Sequence, residues 1–174
     1  MKKRNHPKVF CLIFILTVIN STSIAQNIEG YDKMISELVQ DTVPYINPEG
    51  LQKKMDTDIY ILDTRELVEY ETSHIPNALH VGYLFFKMKS IKDIPKGATI
   101  VTYCSVGYRS GKLGERLIRK GFQNVYNLKG GVFSWANESG TLLDSQNDTT
   151  NDVHGYDKEW SKWLNEKNCS IILK

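Results

Sequence analysis

The stretch ATIVTYCSVGYRS, residues 98–110, decides the predicted fold. Four of its first six residues are β-branched, which indicates a buried strand of a parallel sheet. Beyond this stretch, Leu113 and Leu117 have the spacing of one helix face, and Gly121 is a typical helix-ending residue. The sequence therefore predicts a strand, a short loop that begins at Cys104, and a helix.

The rest of the chain repeats this alternation of strands and helices. Three further apolar runs predict strands: 43–46, 59–62 and 122–128. Pro44 restricts the first of these strands to an edge of the sheet. Asn47 is typical of a helix N-cap, because Pro48 and Glu49 follow it. Strands that alternate with helices predict an α/β domain with a parallel sheet covered on both faces.

The predicted domain has an extension on each side. Helical spacing of apolar residues predicts an N-terminal helix within 26–42, and the domain itself is assigned to 43–141. The last segment, 142–174, begins with polar residues, and Tyr156, Trp160, Trp163 and Leu164 then recur at helical spacing. This pattern predicts a polar loop and a C-terminal helix docked on the domain, with Trp135, Trp160 and Trp163 as core anchors.

The first 25 residues resemble a secretory signal peptide. A basic start precedes an apolar run at 9–19, and Ala25 has the small side chain expected before a cleavage point. A membrane anchor is the alternative, but a spanning helix needs ~20 apolar residues. The sequence therefore predicts an exported protein, periplasmic or secreted, with no stable membrane insertion after cleavage.

Composition and charge narrow the function classes. The chain has 174 residues, of which 41% are hydrophobic and 24% are charged, as in ordinary globular proteins. Four basic residues in 1–25 leave 18 basic and 20 acidic residues in the remainder, so the net charge there is −2. This balance predicts no nucleic-acid partner. Cys104 and Cys169 are the cysteines beyond that segment, and their spacing predicts no metal site.

The loop after Cys104 has the composition of an anion-binding cradle. Each of its residues offers a backbone N–H, and the following helix adds its positive end. Arg109 adds a permanent charge, so we expect Cys104 to react as a thiolate. Cys104 and Arg109 are thus the candidate catalytic residues. The alternative is that Cys104 is only a small core residue. The expected substrate-binding groups are the backbone amides of Ser105, Val106, Gly107 and Tyr108, and Ser110 is expected to cap the following helix.

Three segments resemble the signatures of single-domain rhodaneses, the thiosulfate sulfurtransferases. They are LDTRE with EYETSHIPNALHV (62–66 and 69–81), TYCSVGYRS (102–110) and GFQNVYNLKGGVFSW (121–135). The resemblance implies a rhodanese-like three-layer sandwich with a parallel five-stranded central sheet. Ser73 and Asn77 stand where the family usually has glycines beside the His-Ile-Pro segment.

The resemblance also implies an activity. Cys104 would take a sulfane sulfur from thiosulfate or another small anionic donor, hold it as a persulfide, and pass it to a thiol or to cyanide. Arg109 would orient the donor, no cofactor would be needed, and an unidentified protein could accept the sulfur. Two alternatives stay open. One is a Cys-dependent phosphatase, although four rather than five residues separate Cys104 from Arg109; the other is a non-catalytic partner-binding module.

Weaker signals receive structural interpretations. Asp63 and Arg65 are interpreted as an ion pair. His74 and His80 are interpreted as packed or surface residues. Cys169 is interpreted as a bystander rather than as a disulfide partner of Cys104.

Overall fold

The structure is a computed structural model that describes residues 29–39 and 42–173. Residues 29–38 form helix α1, and a compact unit that begins at Ile35 contains every later element. The predicted signal segment, 1–25, lies outside the described residues. Among the helices of the described ranges, none combines the length and the apolar character that a bilayer crossing requires.

A five-stranded parallel sheet forms the centre of the fold. The strand order is β1-β5-β4-β2-β3, and every neighbouring pair is parallel. The strands are β1 (Tyr45–Ile46), β2 (Ile59–Asp63), β3 (Ala78–His80), β4 (Thr99–Tyr103) and β5 (Asn124–Leu128). This arrangement confirms the predicted α/β class and the parallel five-stranded sheet, with β1 at one edge.

Helices connect these strands. The connections are α2 (Pro48–Gln52), α3 (Leu67–Thr72), a 3-10 turn (Met88–Ile91) and α4 (Tyr108–Arg119), and a further helix, α5 (Gly131–Asn137), follows β5. Asn47 caps α2 as predicted, because its side chain accepts a hydrogen bond from the N–H of Gly50 at 2.8 Å. Ile100 and Val101 point to opposite faces of β4 and are both fully buried, so both faces of the sheet are covered.

The core on one face explains the position of α4. Leu113 and Leu117 of this helix are buried against Leu62, Ile100 and Val125 from three neighbouring strands. Because α4 lies over the middle of the sheet, the carboxyl end of β4 and the first turn of α4 meet at one fixed loop. Cys104 begins that loop.

The C-terminal segment differs from its prediction. In place of a helix across 156–164, the structure has a four-residue helix, α6 (Lys158–Ser161). Tyr156 has a left-handed φ of +66° and Asp157 is extended, so a helix cannot begin before Lys158. Four short strands also occur in this segment: β6 (Leu142–Leu143) pairs with β7 (Thr149–Thr150), and β8 (Asp152–His154) pairs with β9 (Ser170–Ile172).

Candidate active site

Cys104 lies at the centre of the sheet's carboxyl edge. It follows β4 directly, and its side chain is almost fully buried. The N–H of Gly107 donates a hydrogen bond to Cys104 Sγ at 3.1 Å. Gly107 has a φ of +108°, a conformation that other residues rarely adopt, and it forms the N-cap of α4. The loop therefore turns around one sulfur atom, as a cradle for a thiolate would.

Asn127 on the neighbouring strand β5 holds the loop in place. Its Nδ2 donates to the carbonyl of Gly107 at 2.9 Å, and its Oδ1 accepts from Ser110 Oγ at 2.7 Å. Ser110 was predicted to cap α4, but Gly107 takes that position and the Ser110 hydroxyl bonds across to the sheet. The side chain of Ser110 therefore stabilises the loop by linking the first turn of α4 to strand β5.

The start of α5 packs against the backbone of the same loop. The N–H of Val132 donates to the carbonyl of Cys104 at 2.9 Å, and the N–H of Phe133 donates to that of Ser105 at 3.1 Å. Gly131 precedes them with a φ of +58°, and a Cβ added there would lie 2.6 Å from the Ser105 oxygen. Glycine at 131 is thus required for close contact between α5 and the Cys104 loop.

Replacing Gly131 with alanine is expected to lower the free energy of unfolding by about 3 kcal/mol or more. The added methyl group collides with the backbone oxygens of the Cys104 loop in addition to straining the left-handed backbone. Gly121→Ala is the matched control, because Gly121 also has a positive φ but no described atom lies within 4 Å of a Cβ added there. Urea denaturation of both variants measures the difference, and equal destabilisation would contradict the close contact.

Arg109 is held by a carboxylate on α3. Its Nη1 lies 2.7 Å from Glu69 Oε2, and its Nη2 lies 2.8 Å from Glu69 Oε1. The hydroxyl of Ser105 donates to Glu69 Oε1 at 2.8 Å and accepts from Arg109 Nη2 at 2.9 Å. The Arg109 guanidinium is thus fixed by both oxygens of Glu69 and by the Ser105 hydroxyl, which itself donates its proton to Glu69.

Both members of this pair are charged near neutral pH. Burial by itself would raise the pKa of Glu69, but the hydrogen bond and charge of Arg109 lower it to about 2. Burial opposes the charge of Arg109 too, but the hydrogen bonds that it donates to Glu69 and the charge of that carboxylate raise its pKa above the ordinary value. The Glu69 carboxylate therefore balances the positive charge that Arg109 brings to the site.

The pair predicts a specific loss of stability in acid. The pKa of Glu69 is about 2 in the folded chain, whereas an ordinary glutamate has a pKa of 4.5. The contribution of Glu69 to the free energy of unfolding is therefore full above pH 4.5 and disappears as the pH falls toward 2. We expect this contribution to be about 3 kcal/mol. Urea denaturation between pH 6 and pH 2 measures it. Glu69→Gln should lose this part of the pH dependence, and an unchanged acid slope in that variant would contradict the assignment.

A pocket opens beside Cys104. Its volume is about 370 Å³, and its lining is mostly apolar. The described residues around it are Leu38, Cys104, Ser105, Val106, Tyr108, Arg109, Tyr156 and Trp160. Trp160 was interpreted from the sequence as a core anchor, whereas the structure places it at the pocket wall.

The weaker sequence signals take structural positions. Asp63 and Arg65 form a fully buried ion pair, with Nη2 of Arg65 2.6 Å from Oδ2 of Asp63. His80 bonds to the Arg65 carbonyl at 2.9 Å, and His74 bonds to the Tyr70 carbonyl at 3.1 Å. Both histidines are thus engaged in packing and in backbone hydrogen bonds.

The second cysteine differs from Cys104 in its surroundings. Cys104 and Cys169 are both free thiols. Burial and the charge of Glu166 raise the pKa of Cys169, so it is the less reactive kind of thiol. Within the described ranges, no group of three or more His, Cys, Asp or Glu side chains is arranged to hold a metal ion.

Comparison with known proteins identifies the family. A model of the rhodanese-like domain matches residues 47–138, more than half of the chain. The chain therefore belongs to the rhodanese-like family and is an enzyme of that family. A solved thiosulfate sulfurtransferase from Pseudomonas aeruginosa aligns with a TM-score of 0.55 and 21% identity, over 70% of this chain and 23% of that one. At this identity, the likeness shows a shared fold only.

The curated relatives correct the functional predictions. The tRNA uridine(34) hydroxylase of Aster yellows witches'-broom phytoplasma is 31% identical over 79% of this chain, and that of Oceanobacillus iheyensis is 28% identical over 78%. The chain spans less than half of each relative, 46% and 43%. Because these relatives are named for tRNA modification, the predictions of an exported thiosulfate sulfurtransferase and of no nucleic-acid partner are wrong. A total charge of −2 does not describe local surfaces, and this explains the second error.

The structure brings together most of the residues singled out in the sequence. Cys104, Ser105, Val106, Tyr108 and Arg109 meet at the pocket, and the amide of Gly107 bonds to the sulfur. Sequence reasoning missed other members of the site: Glu69, Asn127, Tyr156 and Trp160. A signal existed for Glu69, because it lies within a segment that resembles a rhodanese signature.

Proposed function

We propose that the protein is a Cys104-dependent enzyme that modifies a uridine of tRNA. The single observation that carries the role of Cys104 is its sulfur atom, bonded by the Gly107 amide and placed at the wall of the pocket. The substrate class is supported by relatives at 28% and 31% identity that are named for an activity on tRNA. Because the chain spans less than half of those relatives, their whole activity remains a proposal for this chain.

The proposed chemistry uses the thiol as a covalent nucleophile. A thiolate can form a bond to C6 of a uracil ring while the electron pair of the C5–C6 double bond moves toward the C4 carbonyl oxygen. This addition makes C5 the nucleophilic carbon of the base. Dioxygen would take up its electron pair as a C5 hydroperoxide, an added thiol would reduce that hydroperoxide to a C5 hydroxyl and water, and loss of the C5 proton would then expel Cys104 from C6. The Gly107 amide and the Glu69–Arg109 pair would hold the sulfur and the loop in position during the addition.

A second candidate chemistry is sulfur transfer of the rhodanese type, with a persulfide on Cys104. The length of the loop favours it, because only four residues separate Cys104 from Arg109 and the cradle closes around a single sulfur atom. Under this candidate, ATP activates a carbonyl oxygen of the uracil, and the outer persulfide sulfur displaces that oxygen together with its phosphate group. Two equivalents of an added thiol then cleave the resulting S–S bond and return Cys104 to the thiolate. The two candidates share the nucleophile and differ in the atom that reaches the base.

The test is nucleoside analysis of tRNA after incubation with the purified full chain, in air with a thiol in one reaction and with a sulfane-sulfur donor, ATP and a thiol in another. The wild type is expected to produce a modified uridine, and Cys104→Ser is expected to produce none. Addition of oxygen and replacement of oxygen by sulfur give the same nominal mass, so accurate mass must separate the two products. Unchanged tRNA with a folded wild-type protein would overturn the proposal.

Cell fractionation provides an independent check. A tRNA-modifying enzyme must share a compartment with tRNA, whereas residues 1–25 predict export. An epitope at the C terminus allows the chain to be followed and its N terminus to be sequenced. Folded protein in the cytoplasm supports the tRNA proposal, and exclusive recovery outside the cytoplasm with a new N terminus at Gln26 would contradict it.

A further inference from the structure

We infer that the Cys104 pocket selects a neutral planar ring over an anion, and that Tyr156 and Trp160 form the wall that selects it. Both residues lie beyond the rhodanese-like match, which ends at residue 138. The inference rests on the proposed function in one respect, because the neutral ring it names is the uracil base. The selectivity for neutral groups follows from the pocket itself.

Charge is the first part of the inference. Of the described residues that surround Cys104 in the pocket lining, Arg109 is the one with a permanent charge. Its guanidinium is bonded by both oxygens of Glu69, so the pair as a whole is neutral. An inorganic anion that entered the pocket would lose its water and meet apolar walls and a cation that already has its carboxylate. A neutral ligand avoids that cost.

Shape and surface are the second part. Aromatic side chains of Tyr108, Tyr156 and Trp160 and apolar side chains of Leu38 and Val106 line the pocket together with Cys104. Aromatic walls favour flat rings through stacking, which is worth about 1–3 kcal/mol for a nucleobase. A volume of about 370 Å³ is at the small end of ligand pockets and suits a single ring with its sugar.

Local structure fixes the wall in position. The N–H of Tyr156 donates to His154 Nδ1 at 3.1 Å, and the Tyr156 ring lies over the Arg109 guanidinium at 5.5 Å. Asp157 accepts from the N–H of Trp160 at 3.0 Å and so begins α6 with Trp160 in its first turn. Pairing of β8 with β9 anchors this segment. The two aromatic side chains are therefore part of a built wall.

One pair of alkylating reagents tests the effect of charge at Cys104. Iodoacetamide is neutral, and iodoacetate carries a charge but has the same leaving group. Relative to free glutathione, Cys104 is expected to prefer iodoacetamide by about tenfold or more. Glu69→Gln frees the charge of Arg109 and is expected to shift the ratio toward iodoacetate by a similar factor. If wild-type Cys104 showed no preference for iodoacetamide over iodoacetate, that result alone would overturn the charge argument.

Protection from alkylation tests the wall. Uracil is expected to slow the reaction of Cys104 with iodoacetamide, whereas orotate, the same ring with a carboxylate, is expected to protect about tenfold less well. Trp160→Ala and Tyr156→Ala should remove the protection. Trp163→Ala is the matched control, because Trp163 is on the same segment but is not among the described residues that line the pocket. Equal protection in all three variants would overturn the role of the wall.

The outcomes also separate this inference from the proposed function. Protection by uracil without modification of tRNA would reject the proposed function and leave the pocket selectivity intact. Modification of tRNA by the wild type, with orotate and uracil protecting equally, would reject the inference and leave the proposed function intact.

Discussion

Replacing Cys104 with serine is expected to lower the rate of tRNA modification by at least about 1,000-fold. The serine hydroxyl is almost the same size as the thiol but is not ionised near neutral pH, and no described side chain beside it is placed as a general base. The Gly107 amide can still bond to the new oxygen, so the fold should be retained. Initial rates with purified tRNA, together with thermal unfolding curves, measure both effects.

The second cysteine supplies the control for this experiment. Cys169 is also free and buried, and its Sγ lies 3.6 Å from the Asn165 carbonyl in the C-terminal segment. Cys169→Ser is expected to keep full activity. If Cys104→Ser retained more than about a tenth of the wild-type rate, a covalent role for the thiol would be rejected.

Asp63→Asn is expected to lower the free energy of unfolding by about 3–5 kcal/mol. The side chains of Asp63 and Arg65 are both fully inaccessible to solvent. Arg65 donates from Nε to both oxygens of Asp63 and from Nη2 to Oδ2. An amide of the same size removes the negative charge and leaves the buried guanidinium without its hydrogen-bonded carboxylate. Urea denaturation at neutral pH measures the effect.

An exposed ion pair is the matched control for the buried one. Glu49 on α2 and Lys53, which caps the end of that helix, approach to 2.6 Å, with both side chains largely in solvent. Glu49→Gln makes the same chemical change and is expected to leave the unfolding midpoint almost unchanged, because water already solvates the lysine. Similar losses in the two variants would contradict the importance of burial.

Local sequence signals predicted the framework of the fold because they act at short range. The β-branched run of β4 and the apolar spacing in α4 identified the central strand and the helix on either side of Cys104. The strand β3, Ala78–His80, was missed because three residues with an exposed Leu79 show no clear alternation. Its pairing with β2 comes from tertiary structure and not from local sequence.

The candidate site was predictable only in part for a similar reason. Cys104 and Arg109 lie within one loop and could be found from their spacing. Glu69 is 40 residues from Arg109 in sequence, and only the fold shows that its carboxylate neutralises the guanidinium. Tyr156 and Trp160 reach the pocket because a left-handed backbone at Tyr156 changes the direction of the chain, a feature that helical spacing did not reveal.

The predictions of the substrate and of no nucleic-acid partner were wrong because local signatures and total charge do not describe a binding surface. Family signatures around Cys104 describe a scaffold and a nucleophile, and they do not specify the substrate. Total charge reports the whole chain, whereas binding depends on local surfaces. Only the similarity to named tRNA-modifying relatives added information on the substrate class.

Relative reactivity of the two thiols at neutral pH tests the central claim, that the loop makes Cys104 a nucleophile. Iodoacetamide labelling of the full chain, followed by peptide mapping, gives the rates for Cys104 and Cys169 in one experiment. We expect Cys104 to react at least about tenfold faster, because the Gly107 amide donates a hydrogen bond to its sulfur and a pocket opens beside it, whereas burial and the charge of Glu166 raise the pKa of Cys169. Labelling of Cys104 at or below the rate of Cys169 would contradict the account.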